Sequence, residues 1–156
     1  SAITDKAFVP ECQNKQLQLC SQQDVINAYD NSIIATDQLL AAVINQLSAA
    51  KDYQTAMLYI SDHGESLGEN GIYLHGLPYW MAPTAQTHIP LLWWMSENYI
   101  TGQKVNTSCI QQQTEQKASH DNLFHTLLAI FNVQTTMRET QLELFSQCQN
   151  DLSAYK

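Results

Sequence analysis

The sequence predicts an α/β fold, and three stretches of the chain carry this prediction. Residues 21–50 place apolar side chains at near-helical spacing, whereas residues 54–61 and 90–95 form two apolar runs. A continuous apolar run that follows a helix is typical of a parallel strand covered on both faces of its sheet. We therefore expect a long helix, then a parallel strand, and a second buried strand further along the chain.

The length and composition fit one globular domain. A chain of 156 residues can bury roughly 70% of its unfolded surface, and no internal repeat or low-complexity linker divides it. Seven basic residues against 15 acidic ones give a formal charge of -8, and the basic residues form no run. This balance argues against nucleic-acid binding, which relies on clustered Lys and Arg. An anionic substrate would need a bound cation to attract it.

The start of the chain and its longest apolar stretch bear on its origin. It starts at Ser1 with neither an initiator Met nor a visible signal peptide. The longest strongly apolar stretch, residues 89–95, is far shorter than the ~20 residues of a membrane helix. We expect a processed or excised piece of a longer protein.

The first elements can be assigned in order. Residues 1–20 lack clear periodicity and predict an irregular segment. Ser21 and Asp24 resemble a capping box in which Asp stands in for the usual Glu. An amphipathic helix over residues 21–50 should follow, with an apolar stripe formed by Val25, Tyr29, Ile33, Leu40, Val43 and Leu47.

Four cysteines lie in two separated groups. An even count without Cys-x-x-Cys spacing favours disulfides in an oxidising compartment over a zinc knuckle. We expect the pairs Cys12–Cys20 and Cys109–Cys148. Spacing alone does not choose among the three pairings, and four buried free thiols in a cytosolic protein are the alternative.

A third helical pattern occupies the C-terminal third. Ser119 can cap a helix over residues 120–131, whose apolar stripe consists of Leu123, Phe124, Leu127, Leu128 and Phe131. The tail should add a short helix or strand around residues 142–145, tied down by Cys148.

The loop of about 28 residues between the two strands holds the chemistry, because a connection that long inside a domain is usually functional. Asp62 and His63 directly follow the first strand, where the backbone turns and two consecutive side chains can converge on one ion. Gly64 permits the tight turn and leaves room beside a metal. Carboxylate oxygens and imidazole nitrogens are ligands for zinc, which takes three or four. Glu65 can orient His63 or bind a substrate amine, and His75 can bind a second metal or donate a proton.

The remaining candidates are weaker. Glu69 adds a carboxylate to the loop, whereas His88, His120 and His125 are expected to be structural. No Gly-x-Ser-x-Gly elbow or phosphate-cradling glycine loop is present, and nothing marks Ser66 as activated. Either metal-bound water performs the chemistry or the nucleophile lies outside this chain.

The block Ser-Asp-His-Gly-Glu-Ser-Leu-Gly-Glu-Asn-Gly-Ile-Tyr-Leu-His-Gly, residues 61–76, resembles the signature of the phosphoethanolamine–lipid A transferases. This family includes the mobile colistin-resistance enzymes and belongs to the alkaline phosphatase/sulfatase superfamily. The resemblance continues at Leu77-Pro78, Ala82-Pro83, Gln86-Thr87 and Pro90. It extends upstream to residues 29–31 and 36–37, and downstream to residues 119–126 and 144–145, and so spans nearly the whole chain.

This resemblance implies a partial α/β/α sandwich of the alkaline phosphatase/sulfatase type with a mainly parallel sheet. It implies Asp62 and His63 as zinc ligands, and Glu65 and His75 as contacts of the phosphoethanolamine group or of a second zinc. The implied reaction moves phosphoethanolamine from phosphatidylethanolamine to a lipid A phosphate, on the periplasmic side of the bacterial inner membrane. In the full-length enzyme this confers polymyxin resistance.

The family's membrane domain, nucleophilic threonine, a glutamate zinc ligand and a further histidine have no counterpart in this sequence. We therefore expect residues 1–156 to be the C-terminal portion of a single periplasmic catalytic domain, inactive by itself. Its subdivisions would be residues 1–20, 21–50 and 54–156. A helix and strands that lack neighbours also predict a dimer or a domain-swapped assembly.

Two other readings remain. One is a related phosphoglycerol transferase or sulfatase. The sequence of residues 69–76 fits these enzymes less well than it fits the phosphoethanolamine transferases. The other is a non-catalytic folding or interaction module whose metal site is vestigial.

Overall fold

Helix α1 begins where its capping residues predict. In the computed structural model, which describes residues 6–149, α1 spans Gln22–Ala49 and the backbone N–H of Asp24 donates to Ser21 Oγ at 3.1 Å. Val25 at its start is buried, as expected, but Ile33 and Leu39 are half exposed or more. The predicted stripe is therefore wrong at Ile33, which faces solvent.

The segment before α1 is fastened to the helix. Cys12 and Cys20 form the expected disulfide, which confirms that pair. Asn27 Nδ2 donates to the Pro10 carbonyl at 2.7 Å, and one turn later the Asn31 side chain bonds both backbone groups of Phe8. These two amides make an otherwise irregular segment part of the fold.

Four strands are described: β1 (Ala56–Ile60), β2 (Ser66–Leu67), β3 (Tyr73–Leu74) and β4 (Leu91–Met95). β1 pairs with β4, and β2 pairs with β3 as an antiparallel hairpin. Ser61 N donates to the Pro90 carbonyl, so the end of β1 lies beside the start of β4. This pairing is antiparallel, because Ser96 N also donates to the Thr55 carbonyl at the opposite ends of the two strands. The two predicted strands are present, but the parallel direction expected for β1 does not hold in this pair.

The described residues divide into two compact units, one comprising residues 6–49 and 57–94 and the other residues 50–56 and 95–149. The first holds α1, the hairpin and the four-residue helix α2 (Thr84–Thr87). The long connection between β1 and β4 is thus itself structured. Among residues 6–149, no helix combines the length and the apolar content needed to cross a bilayer.

The second unit contains three helices, α3 (Glu97–Gly102), α4 (Thr107–Gln113) and α5 (Asp121–Ile130). Of these three helices, only α5 was predicted from the sequence. Helices α3 and α4 are too short to show periodicity, although Ser96 and Asn106 cap them through their side-chain oxygens.

The tail lies against α5 by polar contacts instead of forming the expected helix or strand around residues 142–145. The Leu144 N–H donates to Thr126 Oγ1, and Asn122 Nδ2 donates to the Leu142 carbonyl. Two 3-10 turns flank these residues, and the second, Ser146–Cys148, is held by the expected Cys109–Cys148 disulfide. Part of the tail's backbone hydrogen bonding is thus satisfied by side chains of α5, which confirms its anchoring but not its secondary structure.

Candidate metal centre

The corner after β1 is shaped by short-range hydrogen bonds. Ser61 Oγ donates to the His63 carbonyl at 2.8 Å, and Asp62 Oδ1 accepts the His63 N–H at 3.0 Å. These bonds turn the backbone away from the strand direction. As a result, Asp62 and His63 lie side by side, with Asp62 Oδ2 3.6 Å from His63 Nε2.

Gly64 brings the corner against α2. Its N–H donates to the Gln86 carbonyl at 3.0 Å, and a Cβ at this position would lie 2.0 Å from the carbonyl oxygen of Ala85. Gly64 does not adopt a left-handed φ. The room expected beside a metal is therefore taken by the α2 backbone, and that close approach is what requires glycine.

A second hydrogen bond, which is buried, joins α2 to the start of β2. Gln86 Nε2 donates to Ser66 Oγ at 2.8 Å, and both residues are buried. The Ser66 hydroxyl therefore has a structural partner. Gln86 is a positioning residue that the sequence analysis missed, because no local pattern connects it to residues 64–66.

The hairpin register brings His75 beside Glu65. Ser66 pairs with Leu74 and Leu67 with Tyr73, so the next pair outward is Glu65 with His75. The turn is closed by Glu69, whose carboxylate accepts the Leu67 N–H at 2.8 Å. This bond gives Glu69 a structural role instead of a place among the clustered ligand atoms.

Three side chains form a cluster of metal-ligand type: His63, Glu65 and His75, with one donor atom from each lying within 4.8 Å of the others. His75 Nδ1 is 2.7 Å from Glu65 Oε1, and the two imidazole rings are 3.7 Å apart between centroids. The second oxygen of Glu65, Oε2, is buried and has no hydrogen-bond partner among the described residues. A buried carboxylate oxygen without a partner is costly unless a cation meets it, so the donor set fits a positive ion or group.

Asp62 lies next to this cluster and not inside it, with 86% of its side chain exposed. The Nδ1 atom of His63 is 3.0 Å from the Gly64 carbonyl, which selects the tautomer with the proton on Nδ1. Nε2 then carries the lone pair and faces Asp62. The structure thus offers two adjoining donor groups, Asp62 with His63 Nε2, and Glu65 with His75.

The other histidines have different surroundings. His88 is exposed and ends α2. His125 Nδ1 accepts the Glu139 N–H at 2.9 Å, and His120 occupies the N-cap position of α5. None of these three histidines belongs to the cluster of His63, Glu65 and His75, and the structural roles expected for them stay predictions.

Comparison with known proteins identifies relatives over most of the chain. The family model described as Sulfatase matches residues 3–133. The phosphoethanolamine transferase EptA of Salmonella typhimurium is 43% identical over 145 residues, which are 92% of this chain and 26% of the relative. The phosphatidylethanolamine transferase Mcr-2 of Escherichia coli is 42% identical over 127 residues, 81% of this chain and 22% of the relative. The chain thus spans about a quarter of the curated relatives that it matches.

Two solved structures also resemble this chain. The soluble domain of lipooligosaccharide phosphoethanolamine transferase A from Neisseria meningitidis has a TM-score of 0.90 at 34% identity, covering 94% of this chain and 44% of that one. The C-terminal periplasmic domain of EptC from Campylobacter jejuni has a TM-score of 0.79 at 44% identity, covering 89% and 43%. These matches confirm the α/β fold of the alkaline phosphatase/sulfatase type and the resemblance drawn from residues 61–76.

Proposed function

This chain belongs to the sulfatase family, and on that premise we propose that it is the C-terminal part of the periplasmic catalytic domain of a zinc-dependent transferase. The proposed reaction moves phosphoethanolamine from phosphatidylethanolamine to a lipid A phosphate, in an enzyme of the bacterial inner membrane that confers polymyxin resistance. Relatives named as phosphoethanolamine transferases support this assignment. The observation that carries it is the cluster of His63, Glu65 and His75 with an unpartnered buried carboxylate oxygen.

We assign Asp62 and His63 to zinc. Their facing atoms, a carboxylate oxygen and the Nε2 lone pair, are ligands that zinc accepts, and together they supply two of the three or four it requires. Zinc, when bound, lowers the pKa of a nucleophile and offsets charge on phosphoryl oxygens. That contribution matters here because a chain with a charge of -8 repels an anionic substrate.

We assign Glu65 and His75 to the phosphoethanolamine group, with a second zinc as the alternative for the same two residues. The Glu65 carboxylate can attract an ammonium group through Oε2. Because Glu65 Oε1 accepts a hydrogen bond from His75 Nδ1, His75 Nε2 remains to take up a proton or donate one to a phosphoryl oxygen. One carboxylate thus orients the imidazole and binds the cationic end of the substrate.

The remaining parts of this reaction are proposed to lie outside these 156 residues. They comprise a membrane domain, a threonine nucleophile, and further zinc ligands to complete the site begun by Asp62 and His63. The isolated chain should therefore transfer no phosphoethanolamine, and measurable transfer by it would contradict the proposal. A dimer or domain-swapped assembly also stays a prediction, which light scattering on the purified chain would test.

Calorimetric zinc titration tests the assignment. We expect the chain to bind one zinc ion weakly, because it supplies only two of the three or four ligands, and Asp62→Ala or His63→Ala to abolish this binding. The matched control is His88→Ala, which removes an exposed histidine outside the cluster and should leave affinity unchanged. Absence of zinc binding in the wild-type chain would favour a non-catalytic module with a vestigial site.

The substrate assignment needs the parent enzyme. There, Glu65→Gln should lower transfer from phosphatidylethanolamine much more than transfer from a donor whose headgroup lacks the ammonium. Equal losses with both donors would contradict ammonium recognition by Glu65. Preference for a phosphatidylglycerol donor would indicate the related phosphoglycerol transferase.

A further inference from the structure

The loop between β3 and α2 presents three consecutive large apolar side chains to solvent. Tyr79 is 85% exposed, Trp80 83% and Met81 52%. Of the large apolar residues exposed among the described part of the chain, Tyr79 and Trp80 are the two most exposed. Leaving this much apolar surface in water is unfavourable, and such patches mark interaction sites.

This apolar tip, residues 79–81, is held in a defined shape. The N–H groups of Met81 and Ala82 both donate to the Pro78 carbonyl, at 2.8 and 2.9 Å. Pro83 follows and begins α2 as its N-cap residue. A tip closed by backbone hydrogen bonds and bracketed by prolines loses little conformational entropy when it binds.

The same loop is attached at one end to the cluster of His63, Glu65 and His75 and at the other to residues adjoining it in the chain. On one side, His75 is bonded to Glu65, and on the other Gln86 is bonded to Gly64 and Ser66. All of these residues belong to the first compact unit. Whatever contacts the apolar tip is therefore positioned relative to the cluster.

The charge pattern indicates what that contact is. Residues 70–96 contain no Asp, Glu, Lys or Arg, although the chain as a whole carries a charge of -8. An acidic protein is repelled by an anionic lipid surface, and this stretch is where the repulsion from its own side chains is smallest. Tyr and Trp are also the residues that favour the boundary between lipid headgroups and acyl chains.

We propose that the apolar tip inserts into the interfacial region of a phospholipid bilayer and so holds the metal cluster at the level of lipid headgroups. The choice of a bilayer as the occupant rests on the proposed function, because an enzyme that acts on lipid headgroups works at the membrane surface. Binding through the tip is apolar and should therefore be insensitive to salt.

Vesicle binding by the 156-residue chain tests the proposal. Vesicles of phosphatidylethanolamine and phosphatidylcholine are used, since neutral lipids remove charge repulsion as a confounding term. The triple variant Tyr79→Ser, Trp80→Ser, Met81→Ser should reduce the bound fraction by about tenfold, because binding strength scales with the apolar area inserted.

The matched control is Tyr53→Ser, Phe131→Ser, Met137→Ser, which removes three exposed apolar residues of similar type elsewhere. It should change binding by no more than about twofold, as expected for surface substitutions. A second measurement uses brominated lipids, which quench nearby tryptophans. Trp80→Phe should retain vesicle binding but lose most of the quenching, because the two remaining tryptophans, Trp93 and Trp94, lie in β4 and are only partly exposed.

Equal vesicle binding by the tip triple variant and its control would overturn the proposal. Failure of the wild-type chain to bind vesicles would also overturn it. If light scattering then shows a dimer that depends on the tip, a second copy of the chain is the partner that covers residues 79–81. Vesicle binding requires no zinc, so a negative result here together with normal zinc titration would refute only the membrane contact. A positive result without zinc binding would refute only the metal site.

Discussion

Replacing Gly64 by alanine tests whether the close approach of α2 holds the cluster of His63, Glu65 and His75 in place. An added Cβ would lie 2.0 Å from the Ala85 carbonyl oxygen and 3.1 Å from its carbonyl carbon. Both are backbone atoms of α2 and cannot rotate away. Because Gly64 does not need a left-handed φ, the substitution introduces a steric conflict without a conformational one.

The size of the effect follows from this geometry. The corner and α2 must separate by roughly 1.4 Å for the added Cβ to reach the 3.4 Å of an ordinary contact, which breaks the Gly64–Gln86 hydrogen bond. Overpacking of this kind costs about 1–3 kcal/mol. Loss of the hydrogen bond adds about 1 kcal/mol. We expect Gly64→Ala to lower the free energy of unfolding by about 2–4 kcal/mol.

The assay is urea unfolding followed by circular dichroism and tryptophan fluorescence, together with zinc titration. His63 and Glu65 flank Gly64, so a displacement of more than 1 Å should weaken zinc binding by about tenfold or more. The matched control is Gly102→Ala, whose Cβ would lie 2.2 Å from Gln54 Nε2. That atom ends a flexible side chain, so the control should change stability by less than about 1 kcal/mol.

Unfolding of Gly64→Ala at the wild-type urea concentration, together with wild-type zinc affinity, would show that the approach of α2 does not constrain the corner. Equal destabilisation by Gly102→Ala would also count against this constraint, because a backbone conflict and a side-chain conflict would then be indistinguishable. A variant that is destabilised but binds zinc normally would show that α2 packs closely against Gly64 but does not position the zinc ligands.

Two further predictions concern the second unit. Burial of Glu143 opposes its ionisation, but hydrogen bonds from Arg138 at 2.6 and 3.1 Å outweigh burial and lower the pKa of Glu143. Because the folded-state pKa lies below the unfolded value, this pair stabilises the fold above about pH 4.3, and its contribution disappears as pH falls through the folded pKa. Glu143→Gln should therefore cost about 3 kcal/mol at neutral pH, and its difference from wild type should shrink in acid, as measured by urea unfolding at several pH values. A difference that does not change with pH would contradict this role of the pair. Replacing both Cys109 and Cys148 by serine opens a sequence separation of 39 and should cost about 4 kcal/mol, against about 2.5 kcal/mol for the N-terminal disulfide with its separation of 8. Equal losses from the two disulfides would contradict the loop-entropy explanation.

Local patterns accounted for the elements that were predicted correctly. The Ser21 cap and the apolar runs located α1, β1 and β4 because such signals act within a few residues. Helices α3 and α4 were missed because six or seven residues are too few for periodicity to appear. The antiparallel pairing of β1 with β4 could not be predicted, because strand direction depends on how the intervening loop returns.

Sequence alone identified the candidate residues for the chemistry and where they lie on the chain. Asp62, His63, Glu65 and His75 were named as candidates from residue type, glycine spacing and a specific sixteen-residue block. These features are local, since a strand end, a glycine turn and a returning histidine lie within that one block.

Tertiary structure alone decided how these residues meet. The hairpin register sets Glu65 against His75, and the stacked imidazoles draw His63 into the same cluster, while Asp62 stays exposed beside it. Gln86 holds the corner from a distant part of the loop, and the apolar tip stands exposed between these anchors. The approach of Gly64 to Gln86 joins residues from opposite ends of the loop, and the hairpin register depends on backbone pairing, so neither follows from residue type and spacing alone.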